Sequence, residues 1–144
     1  MTYAFHTEEK EKIGLHDCRS NEMRYENGIF TIRFPDGFYD LDRPEPDRTG
    51  CAELQCRIID RDLGGIEIFI FRETEHGTIR EDWSDTFCDA MRENGFEFEC
   101  VTTYYAYRRI LIKGYVWFNE EPYHRECEIA LSADRMTFSW NEAE

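Results

Sequence analysis

His16, Asp17 and Cys18 follow one another in the chain. An imidazole, a carboxylate and a thiol are the groups from which nucleophilic and metal sites are built. On a strand, however, neighbouring side chains diverge, and a reactive thiol needs a lowered pKa and a second orienting group, neither of which the sequence supplies. The other metal candidates fail in the same way. Cys51 and Cys56 are an odd number of residues apart on one expected strand, as are His124 and Cys127, so each pair points to opposite faces. Zinc requires three or four convergent ligands, and there is no CxxC pair. Glu97 with Glu99 and Glu126 with Glu128 are paired carboxylates, but among 31 acidic residues such coincidences are expected. No catalytic residue, metal or cofactor is therefore assigned. The remaining candidate is the aromatic run Tyr104-Tyr105-Ala106-Tyr107 before Arg108-Arg109, suited to stacking or to packing beside cations at an interface.

The elements that must position these residues read as strands. Asn27-Gly28 marks a hairpin, because a type I′ turn needs positive φ at both central residues, and it joins a Cys18–Glu26 segment to Ile29–Phe34. Phe38 to Gly50, with Pro44 and Pro46 among acids, reads as an extended loop. Cys51–Asp60 alternates as a half-buried strand, and Ile66–Arg72 follows after Gly64-Gly65. A helix is expected over about residues 80–94: Thr78 and Glu81 form a capping box, Trp83, Phe87, Ala90 and Met91 make one stripe, and Gly95 suits the C′ position.

Strands then run over Phe96–Tyr107, Arg109–Phe118, His124–Leu131 and Arg135–Trp140, the last two separated by a turn at Ser132-Ala133-Asp134. Both faces of Arg109–Phe118 are apolar, which predicts a central strand covered on both sides. The fold class expected is mainly β (α+β): about eight antiparallel strands in a bent sheet or partly open barrel, with one helix over a face or plugging an end. The whole of 1–144 reads as a single domain. Thr7–Lys12 is a helical turn or part of a loose arm over residues 1–14.

Charge narrows the function classes. With 17 basic and 31 acidic residues the net charge is −14, a field that repels nucleic-acid phosphates and anionic lipids and favours basic partners. Aromatic residues make up 15% of the chain, against a disordered reading. No stretch has the form of a signal peptide or of a span, so the expected location is cytoplasmic, where the six cysteines stay reduced.

Leu15-His16-Asp17-Cys18, a polar strand, Asn27-Gly28, Ile29 to Phe34 and Pro35-Asp36-Gly37 together resemble the opening hairpin of small uncharacterised bacterial β-rich domains. Some of those are labelled immunity proteins of bacterial toxin systems. The resemblance implies a small, acidic, non-enzymatic cytoplasmic protein and assigns no catalytic residue. The reading that results is a binding protein, of the immunity type, that blocks a basic toxin. Its expected contact residues are Asp40, Asp42, Glu45 and Asp47 of the loop and Tyr105 and Tyr107 of the aromatic run. The alternative is a small-ligand-binding barrel or an enzyme with an aromatic-lined pocket; an acidic surface without a deep pocket separates the first from the second.

Overall fold

The computed structural model describes residues 2–43 and 47–143. Asn27 and Gly28 take φ of 53° and 80°, which lets β4 (Glu22–Glu26) fold directly back onto β5 (Ile29–Phe34). β5 pairs with β8 (Ala52–Ile58), which pairs with the long β13 (His124–Trp140). On the other edge of β13 lies β12 (Arg109–Trp117), then β11 (Glu97–Ala106), then β3 (Arg19–Ser20). Every pairing is antiparallel, as short connections demand. The two ends of this path, β3 and β4, are joined through Asn21. No ladder connects them among the described residues, so the sheet curls round without closing.

Side chains fill the inside of the curl. Phe30, Ile32, Phe34, Leu54 and Cys56 line one wall, Phe98, Cys100, Ile110, Ile112 and Val116 the other, and Ile129, Leu131 and Phe138 of β13 the floor between them; all are buried. Phe38 plugs one end, its ring 6.0 Å from Phe34, 5.9 Å from Phe138 and 6.0 Å from Trp140. The interior is thus a packed core.

β13 does not break at residues 132–134. A turn was expected there, but the structure has one strand with a bulge between Ala133 and Arg135. The extra residue, Asp134, turns its carboxylate to Arg57, with Nε 2.7 Å away. The bulge redirects the strand, as an unpaired residue does. Its first half pairs with β9 (Ile66–Thr74) and its second half with β8, so β8 and β9 lie end to end along one edge.

The helix is shorter than its sequence pattern. Residues 77–82 form β10 (Gly77–Asp82), hairpinned onto β9, and α1 runs only over Phe87–Asn94. The two residues expected to cap a helix are instead spent across the ladder. The Thr78 hydroxyl donates to Glu73 at 2.8 Å, and Glu81 receives Arg125 at 2.6 Å and Arg72 at 3.0 Å. Asp82 accepts the Ser84 N–H at 2.9 Å and starts the turn that carries the chain into α1. The expected end holds: Gly95 has φ 70° and its N–H donates to the Met91 carbonyl.

Glu81 gives a pH prediction. The Arg125 and Arg72 guanidinium groups hold its carboxyl down from 4.5 to about 2. A carboxyl with a depressed folded pKa stabilises fully above its unfolded value. That contribution is lost as pH falls from about 4.5 through about 2. Glu81→Gln should therefore lower stability at pH 7 and lose less further stability on acidification to pH 2 than the parent. Parallel urea titrations at the two pH values measure the difference, and equal acid losses would show that Glu81 is not linked to folding.

Two further corrections concern the ends of the β-rich core. Phe38–Gly50 is not simply a loop: β6 (Tyr39–Asp40) and β7 (Asp47–Arg48) pair, and β6 pairs with β2 (Ile13–Gly14) in a small separate sheet. The described part of the expected 1–14 arm, residues 2–14, is not loose either. β1 (Phe5–Thr7) pairs with 138–140 of β13 and Phe5 stacks on Trp140 at 5.8 Å, while Lys10–Lys12 make one 3₁₀ turn. Edge pairing plus ring stacking is enough to hold so short a segment. Among the described residues no helix is long and apolar enough to cross a membrane.

Candidate binding face

The acidic residues expected to form a contact are largely engaged within the chain. Asp40 accepts from Arg43 at 3.1 Å and from the Asp42 N–H at 3.1 Å, and its side chain is 14% exposed. Asp42 lies 3.7 Å from Lys12. Asp47 stands opposite Asp40 and accepts the Arg48 N–H at 2.7 Å. Glu45 lies outside the described residues. Of the tyrosines, Tyr105 faces the core beside Cys56 and Cys100, its hydroxyl pKa raised chiefly by burial, with Lys10 over its ring at 5.0 Å. Tyr107 is 86% exposed at the β11–β12 turn. The Lys10–Lys12 turn touches both groups, through Tyr105 and Asp42, and lays positive charge on each.

The nucleophile candidate separates in space. Cys18 is fully buried, its Sγ 3.6 Å from the His16 carbonyl, and burial pushes the thiol up to about 11. His16 is exposed, donating from Nδ1 to the Val101 carbonyl at 2.9 Å with Nε2 3.2 Å from Asp17. Burial likewise pushes Cys56 up to about 12 and raises Cys100 well above the usual thiol value, so these are not reactive thiolates at neutral pH.

The structure assembles a different surface, the outer face of β11, β12, β13 and β9. Register sets it out in rows. Glu97, Trp117 and His124 are direct neighbours, as are Glu99, Tyr115 and Glu126, and below them Thr102, Lys113, Glu128 and Phe69. Phe71 lies on the same face, opposite Arg80 of β10. Among the described residues nothing supplies the expected cover for β12 here, and α1 packs on β4 at the far end of the sheet. Phe69, Phe71, Leu111, Tyr115 and Trp117 stay half-exposed, and Tyr104 is 53% exposed.

Polar partners hold these rings in place. The Trp117 Nε1–H donates to Glu99 at 2.9 Å and Arg19 lies over its indole at 4.9 Å. His124 meets Trp117 at 5.0 Å and Tyr115 at 5.6 Å, and Arg80 covers Phe69 at 4.2 Å. Two shallow hollows flank Tyr115 and Glu126: one of about 260 Å³ towards Thr102, Lys113 and Glu128, the other of about 340 Å³ towards Phe71, Pro122 and His124. Glu128 pairs with Lys113 at 3.4 Å and Glu97 with Arg19 at 3.4 Å. Glu126, exposed between the hollows, has no ion pair among the described residues.

No family model matches the chain, and no curated protein or solved structure matches it. Function has to be read from the chemistry of this face.

In the sequence this face is hidden, because its aromatics have the pattern of core and its glutamates that of a solvated strand side. The available signal was the double-sided apolarity of Arg109–Phe118. Its meaning depends on which strands lie beside it and on where the helix goes.

Proposed function

We propose that this chain is a non-enzymatic binding protein whose outer sheet face docks a basic protein partner, as an immunity protein would block a basic toxin. The observation that carries the reading is the set of half-exposed rings Phe69, Phe71, Tyr115 and Trp117 on one uncovered sheet face, interleaved with Glu97, Glu99, Glu126 and Glu128. Contiguous aromatic surface rimmed by charge is characteristic of interaction sites. The rings supply desolvation energy and the carboxylates select for positive charge. The net charge of −14 draws such a partner from a distance. The ion pairs on the face are exposed and individually weak, so a partner's lysines or arginines can exchange into them. The packed interior and the open hollows favour this reading over a ligand-binding barrel.

The test begins with capture of the partner from the native cell and measurement of its association rate with purified protein. Glu126→Gln with Glu128→Gln should slow association roughly fivefold at low salt. Asp42→Asn with Asp47→Asn removes the same charge from the small sheet and the turn that follows β6, and should change the rate much less. Tyr115→Ala should weaken affinity about 30-fold, mainly through faster dissociation. Equal slowing by both charge pairs would leave only the overall field. An effect confined to Asp42 and Asp47 would move the contact to the small sheet, and an acidic partner would end the proposal.

A further inference from the structure

Where the curled sheet fails to close, the chain leaves a hollow of about 560 Å³ beside Asn21. Arg19 of β3, Arg33 of β5 and Arg92 of α1 line it, with Asn21, Asn119 and the Trp117 indole. Three guanidinium groups in one hollow invert the charge of a protein that carries 31 acids.

The carboxylates in the wall are already engaged. Glu22 receives Arg24 at 3.2 Å, and Glu97 receives Arg19 at 3.4 Å. Arg92 pairs outside the hollow with Asp89 at 2.7 Å. Arg33 is different. Among the described residues it has no ion pair, although Glu22 and Glu53 are its direct neighbours across the ladders. Its Nη1 donates instead to the Asn21 side-chain oxygen at 3.3 Å. The other cations without an ion pair, Lys10, Arg48, Arg80 and Arg108, each lie over an aromatic ring, at 5.0, 5.0, 4.2 and 5.2 Å respectively. Arg33 has neither form of compensation and is half-buried. A guanidinium so placed retains most of its five donors for a ligand.

We propose that this seam hollow is an oxyanion site, with Arg33 as the central ligand and Arg19 and Arg92 beside it, that takes a small molecule bearing a phosphate or carboxylate group. The planar guanidinium fork matches both groups bidentately. Arg33 uses the Asn21 oxygen, which leaves the Asn21 amide N–H groups as further donors. The indole wall keeps one side of the hollow poor in water, where charge-assisted bonds are stronger. The whole-chain field opposes anions, so saturable anion binding by this protein has to arise from a local site. The hollow shares Trp117 and Glu97 with the edge of the proposed docking face, but its argument rests on Arg33, Asn21 and Arg92, which lie outside that face.

Inorganic phosphate and, separately, succinate are titrated into ¹⁵N-labelled protein at constant ionic strength. The side-chain signals of Asn21, Asn119, Arg33 and Trp117 are followed. Saturable shifts at these groups with either anion are expected. Arg33→Gln should weaken binding about tenfold or more, as loss of charged hydrogen bonds does. Arg92→Gln should weaken it less but measurably, and serves if Arg33→Gln does not fold. Arg80→Gln, which removes a cation from outside the hollow, should titrate as the parent. Absence of saturation with both anions, or parent-like binding by Arg33→Gln and Arg92→Gln, would overturn the site.

Discussion

Replacing Phe87 with alanine is expected to cost about 3–5 kcal/mol of folding free energy, the range for a fully buried aromatic ring. Phe87 opens α1, is 0% exposed and meets Phe96 edge-on at 5.4 Å; Phe96 in turn meets Phe118 at 5.3 Å. Phe87 and, one turn later, Met91 are the two side chains of α1 that are buried outright. Loss of the ring empties the joint between the helix and the sheet, and eight residues of helix cannot persist without that joint. Trp83 is a useful contrast. It lies before the helix, in the turn, where its backbone N–H donates to the Ile68 carbonyl at 2.7 Å and its ring is half-buried. Trp83→Ala should cost about 1–2 kcal/mol, in proportion to the smaller area withdrawn from water. Chemical denaturation of the two variants decides the matter: a Phe87→Ala loss under about 1 kcal/mol would mean that the ring is not in the core.

Gly114→Ala should be nearly as damaging, for a different reason. Gly114 faces Cys100 on β11, next to the bulge between Cys100 and Thr102. A Cβ at this position would overlap the Glu99 carbonyl oxygen and come within 3.1 Å of the Phe98 ring. The obstacle is backbone, so no rotamer change relieves it, and β11 has to move away from β12. A cost of about 3 kcal/mol is expected, at the upper end for an overpacked core. Gly28→Ala is the control. Its Cβ would meet nothing within 4 Å, so only the left-handed φ of 80° counts against it, about 1 kcal/mol. Movement of β11 has a second readout, since Cys100 is fully buried and should become open to thiol reagents in Gly114→Ala. A variant as stable as Gly28→Ala, with Cys100 still protected, would show that the strands have room to spare.

Residues whose local pattern admits one outcome were legible from sequence. Asn27-Gly28 specifies its hairpin because few other residues take positive φ twice in succession. Gly95 ends α1 for the same reason. The alternation of Ala52, Leu54 and Cys56 marks the inward face of β8 whatever lies opposite. The error at residues 78–82 has an equally local origin. Thr78 and Glu81 satisfy a capping box on paper, yet the same side chains bond better across the ladder to Glu73 and to Arg125 and Arg72. A long-range partner outbids a local one when it also buries strand surface, and no window of residues 75–94 contains Arg125.

The sequence by itself therefore determined a β-rich, antiparallel chain with one helix ending at Gly95, and a net charge of −14. The tertiary structure alone decided that Glu97, Glu99, Glu126 and Glu128 share a face with Phe69, Phe71, Tyr115 and Trp117, and that Arg19, Arg33 and Arg92 meet at the open seam. The physical reason is the range of the forces involved. Turn geometry and side-chain alternation act within a few residues and are written in local order. Strand order, the placing of α1 on β4 rather than on β12, and the failure of the sheet to close depend on packing between segments as far apart in the chain as Phe5 and Trp140, which local order does not encode.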